Sequence, residues 1–189
     1  KSLLPNAVKM AHRLIGEVIE DGDIVVDATA GNGHDTLFLA RKVGPKGMVY
    51  AFDIQEEAIL STRRCLEYHN LLKKVKLIHD GHEKIKSYVK APVKAVMFNL
   101  GYLPSSNKKI ITLPTTTIQA LDSSLELLLK GGIITLVVYS GHKGGLEEKN
   151  AVEKFLSTLD KKKFTVAKYY YLNRDISSPF LLAVSKDTF

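Results

Sequence analysis

The chain contains few of the residues that stabilise small secreted or metal-bound domains. Cys65 is its single cysteine, which excludes an intramolecular disulfide and fits a reducing compartment such as the cytoplasm. The six histidines form no H-x-x-x-H motif and have no pair of cysteines to join, so we expect no metal site. Cys65 falls within a predicted helix beside two arginines, where a packing role explains it.

Long apolar runs are also absent. The longest, residues 133–139, contains a threonine and is far too short to cross a bilayer. The N-terminal region lacks the charged segment and apolar core of a signal peptide. We therefore expect a cytoplasmic protein without a membrane partner. The length of 189 residues predicts a single domain, residues 1–189, and a hydrophobic content of 45% is ample for its core.

Negative charge is outweighed by positive charge. The net charge is +7 and the isoelectric point is about 9.3, which favours a polyanionic partner such as a nucleic acid. Many basic proteins bind only small molecules, so this balance leaves a small-molecule enzyme open.

The most informative stretch is residues 24–36, which reads I-V-V-D-A-T-A-G-N-G-H-D-T. An apolar strand ends in Asp27, two glycines follow one residue apart, and an amphipathic helix begins after them. Glycine permits a positive φ and a close approach of a ligand, and the helix N-terminus offers unpaired N–H groups. This pattern is typical of a site for a dinucleotide or for S-adenosylmethionine. It also fits a purely structural turn in which Asp35 caps the helix.

The acidic residues favour S-adenosylmethionine. A dinucleotide site requires a third glycine where Thr36 stands, and a pyrophosphate would meet the charge of Asp35. Asp27 and Asp35 instead suit a ligand with a cationic end, such as an ammonium or sulfonium group. Asp53 follows Gly33 by twenty residues, the spacing at which an acid meets the ribose hydroxyls of either ligand. Asp53 would serve equally as the cap of the next helix.

Strands and helices alternate along the chain. We predict helices at residues 3–20, 35–43, 55–69, 83–89, 115–129 and 147–159, and strands at residues 24–28, 48–52, 75–79, 95–100, 133–139, 164–172 and 180–184. Gly131 and Gly132 mark the end of the fifth helix. Alternation indicates a parallel sheet covered on both faces, and the short link 173–178 makes the last two strands antiparallel. The predicted fold is α/β, a doubly wound, mostly parallel seven-stranded sheet with its last strand antiparallel, in three α/β/α layers.

Polar residues follow five of the predicted strands. Asp27, Asp53, Asp80, Asn99 and Tyr139 fall at strand C-terminal ends, where ligands bind in sheets of this kind. We therefore expect these side chains to converge on one crevice.

Three motifs resemble a known family. D-A-T-A-G-N-G-H-D-T at residues 27–36, A-F-D-I-Q at 51–55 and N-L-G-Y-L-P at 99–104 resemble the class I S-adenosylmethionine-dependent methyltransferases, and more narrowly the YtqB/MnmM family. The resemblance covers nearly the whole chain and implies a Rossmann-like fold with S-adenosylmethionine as cofactor. It also implies methylation of the aminomethyl group of 5-aminomethyl-2-thiouridine at the wobble position 34 of tRNA, with the anticodon stem-loop as partner. The family has also been described as rRNA methylases.

The resemblance assigns the cofactor contacts to the strand tips. Asp53 would bind the ribose hydroxyls, and His82 would lie near the adenine or merely begin a helix. The full predicted cofactor set is Asp27, Ala30, Gly31, Asn32, Gly33, Asp35, Thr36, Asp53, Gln55, Gly81 and His82.

The segment Asn99-Leu-Gly-Tyr102 resembles the N-P-P-Y signature of methyltransferases that act on amines, with both prolines replaced. The resemblance makes Asn99 and Tyr102 the catalytic candidates. The Asn99 carbonyl would accept an N–H bond from the amine, and Tyr102 would stack on a flipped base. The missing prolines argue against an exocyclic adenine amine and leave room for an aliphatic one. A strand-end cap at Asn99 and a surface position for Tyr102 are the structural alternatives.

No general base has a sequence signature. An aliphatic amine is largely protonated at neutral pH, so some group or water must take its proton. Tyr139, His142 and His34 are candidates by location only, because catalysis of this kind rests mainly on positioning.

RNA contacts are expected beside the crevice. The predicted RNA-binding residues are Lys108, Lys109, His142, Lys143 and Arg174. The lysines at 73, 74, 76 and 161–163 precede strands, so we expect them on the opposite rim as a solvated face. Three rivals stay open at this point: another RNA such as rRNA as target, a small-molecule N- or O-methyltransferase, and a binding module with a degenerate site. Apolar helix faces serve the core or a homodimer contact equally well.

Overall fold

One seven-stranded sheet forms the centre of the computed structural model, which describes residues 3–101 and 112–187. The strands are β1 (Ile24–Asp27), β2 (Met48–Asp53), β3 (Val75–His79), β4 (Val93–Leu100), β5 (Leu128–Val138), β6 (Phe164–Tyr169) and β7 (Phe180–Lys186). The helices are α1 (Ala7–Val18), α2 (His34–Lys42), α3 (Glu56–Tyr68), α4 (Ile85–Tyr88), α5 (Pro114–Leu127) and α6 (Gly145–Ser157), with 3₁₀ turns at Leu72–Lys74 and His82–Lys84. Within the described ranges no helix is long and apolar enough to cross a membrane.

The strands lie in the order β3-β2-β1-β4-β5-β7-β6. Neighbouring strands from β3 to β5 run parallel, whereas β7 lies between β5 and β6 and is antiparallel to both. The predicted doubly wound sheet with its last strand antiparallel is therefore confirmed. The chain passes from β1 to β2 on one side and returns from β3 to β4 on the other side of β1. The connections therefore diverge next to β1 and open a crevice at its C-terminal end.

Each central strand contributes to two cores. Val25 and Met97 pack on one face of the sheet, and their neighbours Val26 and Phe98 pack on the other, because successive strand residues point to opposite sides. The first face is covered by α1, α2 and α3, and the second by α4, α5 and α6. This arrangement confirms the three α/β/α layers.

Several predicted element boundaries are wrong; the sixth strand, for example, ends at Tyr169 rather than at residue 172. Two of the differences have a clear physical reason. The first helix begins at Ala7 rather than residue 3, because the Asn6 side chain caps it by accepting a 2.9 Å bond from the backbone N–H of Lys9. The fifth helix ends at Leu127, and glycines 131 and 132 lie inside β5 instead of ending the helix. The strand starts earlier than predicted because Leu128 already pairs with Val93. The pairing register then shifts before Ile133, so the two glycines lie in an irregular part of the strand.

Asp27 places a carboxyl group inside this packing, fully buried at the end of β1. Its Oδ2 accepts a 2.6 Å bond from the Thr36 hydroxyl, and its Oδ1 accepts a 3.1 Å bond from the Thr29 backbone N–H. Burial and then the negative charge of Asp35 raise the pKa of Asp27 to about 7. This side chain joins the first turn of α2 to β1 and holds a proton through much of the acidic range.

Asp27→Asn should flatten the pH dependence of stability. The folded carboxyl group has a pKa above its ordinary value of 3.8, so the folded state binds the proton more tightly and wild-type stability falls as the pH rises from about 4 to about 7. Between about pH 5 and about pH 7, the free energy of unfolding should fall by about 2 kcal/mol more in the wild type than in the variant. Urea denaturation at both pH values measures this difference.

Asp122→Asn, at an exposed position of α5, is the matched control and should keep the wild-type pH dependence. Equal pH slopes for the wild type and Asp27→Asn would contradict the prediction.

Candidate active site

A cavity of about 850 Å³ opens at the C-terminal ends of β1, β2, β4 and β5. The expected convergence holds for Asp53, Asp80, Asn99 and Tyr139, which all line it, whereas Asp27 lies behind its wall. Of the other residues selected from the sequence, the cavity is lined by Ala30, Gly31, Asn32, His34, Asp35, Gln55, Gly81, His82 and His142.

The loop between β1 and α2 forms the floor of the cavity. The Ala28 N–H donates to the Met97 carbonyl of β4 at 2.8 Å, and the Ala30 N–H donates to the Phe52 carbonyl of β2 at the same distance. Gly31 then has φ +55°, a conformation that glycine adopts without strain. The loop is thereby fixed to both neighbours of β1, with its backbone exposed to the cavity.

Asp53, at the end of β2, also bonds to this loop, and its carboxylate can still accept hydrogen bonds from a ligand. Its Oδ2 accepts from the Gly31 N–H at 3.0 Å and its Oδ1 accepts from the Gln55 N–H at 2.9 Å. A carboxylate has about four acceptor positions, so both oxygens keep one for a ligand. Burial raises the pKa of Asp53, opposed by the two backbone N–H bonds. This acceptor pair suits the two hydroxyls of a ribose.

His82 is a buried neutral imidazole in the cavity wall. Its Nδ1 lies 3.1 Å from the Ala28 carbonyl oxygen, and because a carbonyl only accepts, Nδ1 carries the proton. Burial lowers the pKa of His82, so the ring is neutral at physiological pH and Nε2 is left as an acceptor. Nearby, bonds from Lys84 and Tyr88 lower the pKa of Asp80 to about 2. An adenine amino group would find acceptors here.

Asn99 and Asp35 form the polar centre of the site. The Asn99 backbone N–H donates to the Thr29 hydroxyl at 2.7 Å, and its side-chain amide nitrogen donates to Asp35 Oδ2. Because a carboxylate only accepts, the nitrogen of the amide must face Asp35. The Asn99 carbonyl oxygen is therefore left to accept a bond from a ligand, which is the orientation that an amine substrate requires.

Asp35 is also bonded to a residue that the sequence analysis missed. Its Oδ1 lies 2.5 Å from Nε2 of His12 on α1, and the His12 ring stacks on Phe38 with a centroid distance of 4.2 Å. His12 lies 23 residues before Asp35, and the sequence gives no motif that connects them. Only the packing of α1 against the start of α2 brings them together.

The position of Tyr139 made it a candidate for the general base, but its phenol is unsuited to that role. Burial and then the charge of Asp35 raise the pKa of its phenol, so it stays protonated at neutral pH and acts as a donor. Its backbone N–H donates to the Leu100 carbonyl at 3.0 Å.

A buried glutamate supports the wall opposite the glycine loop. Glu148 of α6 accepts a 2.6 Å bond from the Thr112 hydroxyl and a 2.9 Å bond from the Thr117 hydroxyl. The Thr112 hydroxyl in turn accepts a bond from the Gly101 N–H. This network fixes Gly101, just after Asn99, and Thr112, both of which line the cavity.

Three predicted cofactor residues do not line the cavity. Asp27 and Thr36 are fully buried and bond to each other. Gly33 has φ +86°, and a Cβ there would lie 3.0 Å from the Thr62 Cα, so it serves the close packing of α2 on α3. These three residues support the loop instead of facing a ligand, because spacing along a chain does not fix the direction of a side chain.

The predicted RNA-binding residues are only partly described. Tyr102, Lys108 and Lys109 lie outside the described residues. Lys143 is exposed beside the cavity-lining His142, and Arg174 is exposed in the link between β6 and β7. Arg174 and Tyr139 also line a smaller hollow next to the cavity.

Known proteins have sequences similar to this one. Residues 49–185 match the model of a protein family described as Putative rRNA methylase. The chain is also 44% identical to the "tRNA (mnm(5)s(2)U34)-methyltransferase, chloroplastic" of Arabidopsis thaliana, over 95% of this chain and 69% of that protein.

Solved structures share the fold as well. A crystal structure described as a putative rRNA-methylase from Clostridium thermocellum is 48% identical with a TM-score of 0.96, over 98% of this chain and 100% of that one. A structure described as a putative methyltransferase from Streptococcus mutans in complex with SAH is 42% identical with a TM-score of 0.90, over 97% of this chain and 99% of that one. The resemblance drawn from the three motifs is thus confirmed, and the chain belongs to the Putative rRNA methylase family.

Proposed function

We propose that this chain is an S-adenosylmethionine-dependent tRNA methyltransferase. It methylates the 5-aminomethyl group of 5-aminomethyl-(2-thio)uridine at the wobble position 34 and gives 5-methylaminomethyl-(2-thio)uridine. The observation that carries the proposal is the Asn99 amide, which Asp35 turns so that its carbonyl oxygen is available to an amine. The Arabidopsis relative is named for this reaction, and the Streptococcus mutans relative is described in complex with SAH.

The residues of the cavity fit S-adenosylmethionine. Asp53 keeps two acceptor positions for a diol, and the neutral His82 keeps an acceptor nitrogen. A volume of about 850 Å³ lies within the range of about 300–1,000 Å³ that small-molecule sites occupy. The proposed cofactor contacts that line the cavity are Ala30, Gly31, Asn32, Asp35, Asp53, Gln55, Gly81 and His82.

Catalysis then depends on the position of the amine. The cofactor supplies an electrophilic methyl group on a sulfonium, and the protein must direct a nitrogen lone pair towards it. A hydrogen bond from an N–H group of the amine to the Asn99 carbonyl oxygen fixes the direction of that lone pair. A neutral amide does this without adding a charge that would hold the nitrogen as an ammonium. Stacking of the base on Tyr102 stays a prediction from the sequence.

The tRNA would be bound at the rim of the cavity. Lys143 and Arg174 are exposed there, and His142 with the lysines at 108 and 109 completes the proposed set of RNA contacts. A base in the anticodon loop is already unpaired, so turning it into a pocket costs less than extracting one from a duplex. A cytoplasmic location and a homodimer stay predictions; the Arabidopsis relative is named chloroplastic.

Asn99→Ala should remove activity without removing the cofactor. We expect labelled S-adenosylmethionine and tRNA bearing 5-aminomethyl-2-thiouridine to yield labelled 5-methylaminomethyl-2-thiouridine with the wild type. The variant should be slower by about 10²-fold, because the amine loses its orienting acceptor. Mass spectrometry of the digested nucleosides measures the product, and calorimetry with S-adenosylhomocysteine measures cofactor binding.

Asn150→Ala, on an exposed position of α6, is the matched control and should have wild-type activity. Label that enters rRNA but not this tRNA would overturn the proposed target.

Arg174→Glu should weaken tRNA binding alone. Reversing one phosphate-contacting charge should lower the affinity for tRNA by about tenfold at moderate salt. Lys161→Glu, an equivalent change in the turn before β6 on the opposite rim, should leave tRNA affinity unchanged. Filter binding with tRNA and calorimetry with S-adenosylhomocysteine separate the two ligands. Equal losses for the two variants would contradict the proposed RNA face.

A further inference from the structure

We propose that Glu148 is a positioning residue for the amine substrate. Through Thr112 it fixes Gly101, and Gly101 sets the path of the chain that follows the Asn99 amide. The inference rests on the proposed function, in which the Asn99 carbonyl directs the amine. It gives the cavity two separately supported sides. Strands β2 and β4 hold the glycine loop of the proposed cofactor contacts, whereas α6 holds the side that would contact the amine.

The three groups form a chain of hydrogen bonds that runs in one direction. The Gly101 N–H can only donate, and it donates to the Thr112 hydroxyl oxygen at 3.1 Å. The hydroxyl is therefore free to donate its own proton, which it does to Glu148 Oε1 at 2.6 Å. A hydroxyl group can accept and donate at the same time. The Thr112 N–H also donates to the Gly101 carbonyl at 3.1 Å, so these two residues are joined twice.

Glu148 is a firm support for this pair because it is buried and bonded through both oxygens. It is 2% exposed, and its Oε2 accepts a 2.9 Å bond from the hydroxyl of Thr117 in α5. It lies in the first turn of α6, where the helix dipole stabilises a negative charge. Glu148 thus joins two helices to the chain that follows β4. It is not among the described residues that line the cavity, so its effect on the reaction would pass through the residues that it holds.

The conformation of Gly101 explains why such a support is needed. Its φ is +151°, which proline cannot adopt because its ring fixes φ at about −65°. Its N–H is also the donor that proline lacks. A Cβ at this position would lie 3.2 Å from the Tyr139 Cβ, so the chain passes close to β5. Where the N-P-P-Y signature has a ring that restricts the backbone, this chain has a flexible glycine, and the bonds to Thr112 supply the restriction.

A shift of Gly101 would displace the side of the cavity that would contact the amine. Asn99 is held from the loop side by Asp35, and Gly101 holds the backbone that follows it. Gly101 and Thr112 also line the cavity themselves. A misplacement of about 1 Å at a reacting group can slow a reaction by about 10²-fold. The proposed cofactor contacts follow β1, β2 and β3, so they should stay in place when this side moves.

Thr112→Val, with Thr117→Val as its matched control, tests the positioning role. Each variant removes one hydrogen bond from Glu148 and keeps the shape of the side chain, but of the two threonines it is Thr112 that holds Gly101. With a synthetic anticodon stem-loop that carries 5-aminomethyl-2-thiouridine, Thr112→Val should lower kcat by about 10- to 100-fold, whereas Thr117→Val should stay near the wild-type rate. Urea denaturation should show a loss of stability in both, and calorimetry should show wild-type affinity for S-adenosylhomocysteine in both.

Glu148→Met tests the support itself. Methionine has a similar length but accepts no comparable bond from Thr112, so this variant should be slowed as much as Thr112→Val. Glu148→Gln keeps one acceptor oxygen and should regain most of the wild-type rate, as should Thr112→Ser, which keeps the hydroxyl. The double variant of Thr112→Val and Glu148→Met should be no slower than the slower single variant, because both changes interrupt the same chain of bonds.

The two proposals fail in different ways. A wild-type enzyme that leaves the aminomethyl group unmethylated overturns the proposed function. Methylation by the wild type, together with equal rates for Thr112→Val and Thr117→Val, overturns the positioning role alone and leaves Glu148 as a residue that only stabilises the fold. A loss of cofactor affinity in Thr112→Val as large as its loss of rate, or losses that add in the double variant, would also overturn it.

Discussion

The loop between β1 and α2 is held by two other strands at once, and the rest of the site depends on that constraint. Ala28 bonds to β4 and Ala30 bonds to β2, so the loop cannot shift without breaking pairs on both sides of β1. Asp53 then takes the Gly31 N–H at the end of β2. Because the loop ends where α2 begins, the same constraint sets the position of Asp35 and hence the orientation of Asn99.

Two carboxyl groups beside this loop, those of Asp27 and Asp53, are buried at a cost in free energy. The pKa values of Asp27 and Asp53 are both raised, mainly by burial, which means that the ionised forms are disfavoured. Hydrogen bonds to Thr29, Thr36 and Gln55 offset part of this cost. A ligand with positive charge offsets more of it, since an opposite charge stabilises a poorly solvated carboxylate. A dinucleotide, with its anionic pyrophosphate, would add to the repulsion.

The sequence was sufficient to predict the fold and the site residues that lie at the strand ends. Strict alternation of strands and helices determines a parallel sheet, and residues at strand ends such as Asp53 and Asn99 must then meet at one edge. The direction of side chains within the turn could not be predicted, because Asp27 and Thr36 bond to each other inside the core while Asp35 turns towards the cavity. His12 could not be predicted either, because its contact depends on how α1 crosses the start of α2.

The pairing of Asn99 with Asp35 determines which atom of the amide faces the cavity. A carboxylate only accepts, so the amide nitrogen faces Asp35 and the carbonyl oxygen is turned towards a ligand. An aliphatic ammonium must lose a proton before its nitrogen can attack, and a neutral acceptor such as the Asn99 carbonyl does not stabilise the charged form. In the proposed reaction Asn99 would direct the amine, and Asp35, bonded to Asn99 and to the partly exposed His12, would hold the amide in this orientation. The replacement of the two prolines by Leu100 and Gly101 is consistent with a substrate that is not a flat aromatic amine.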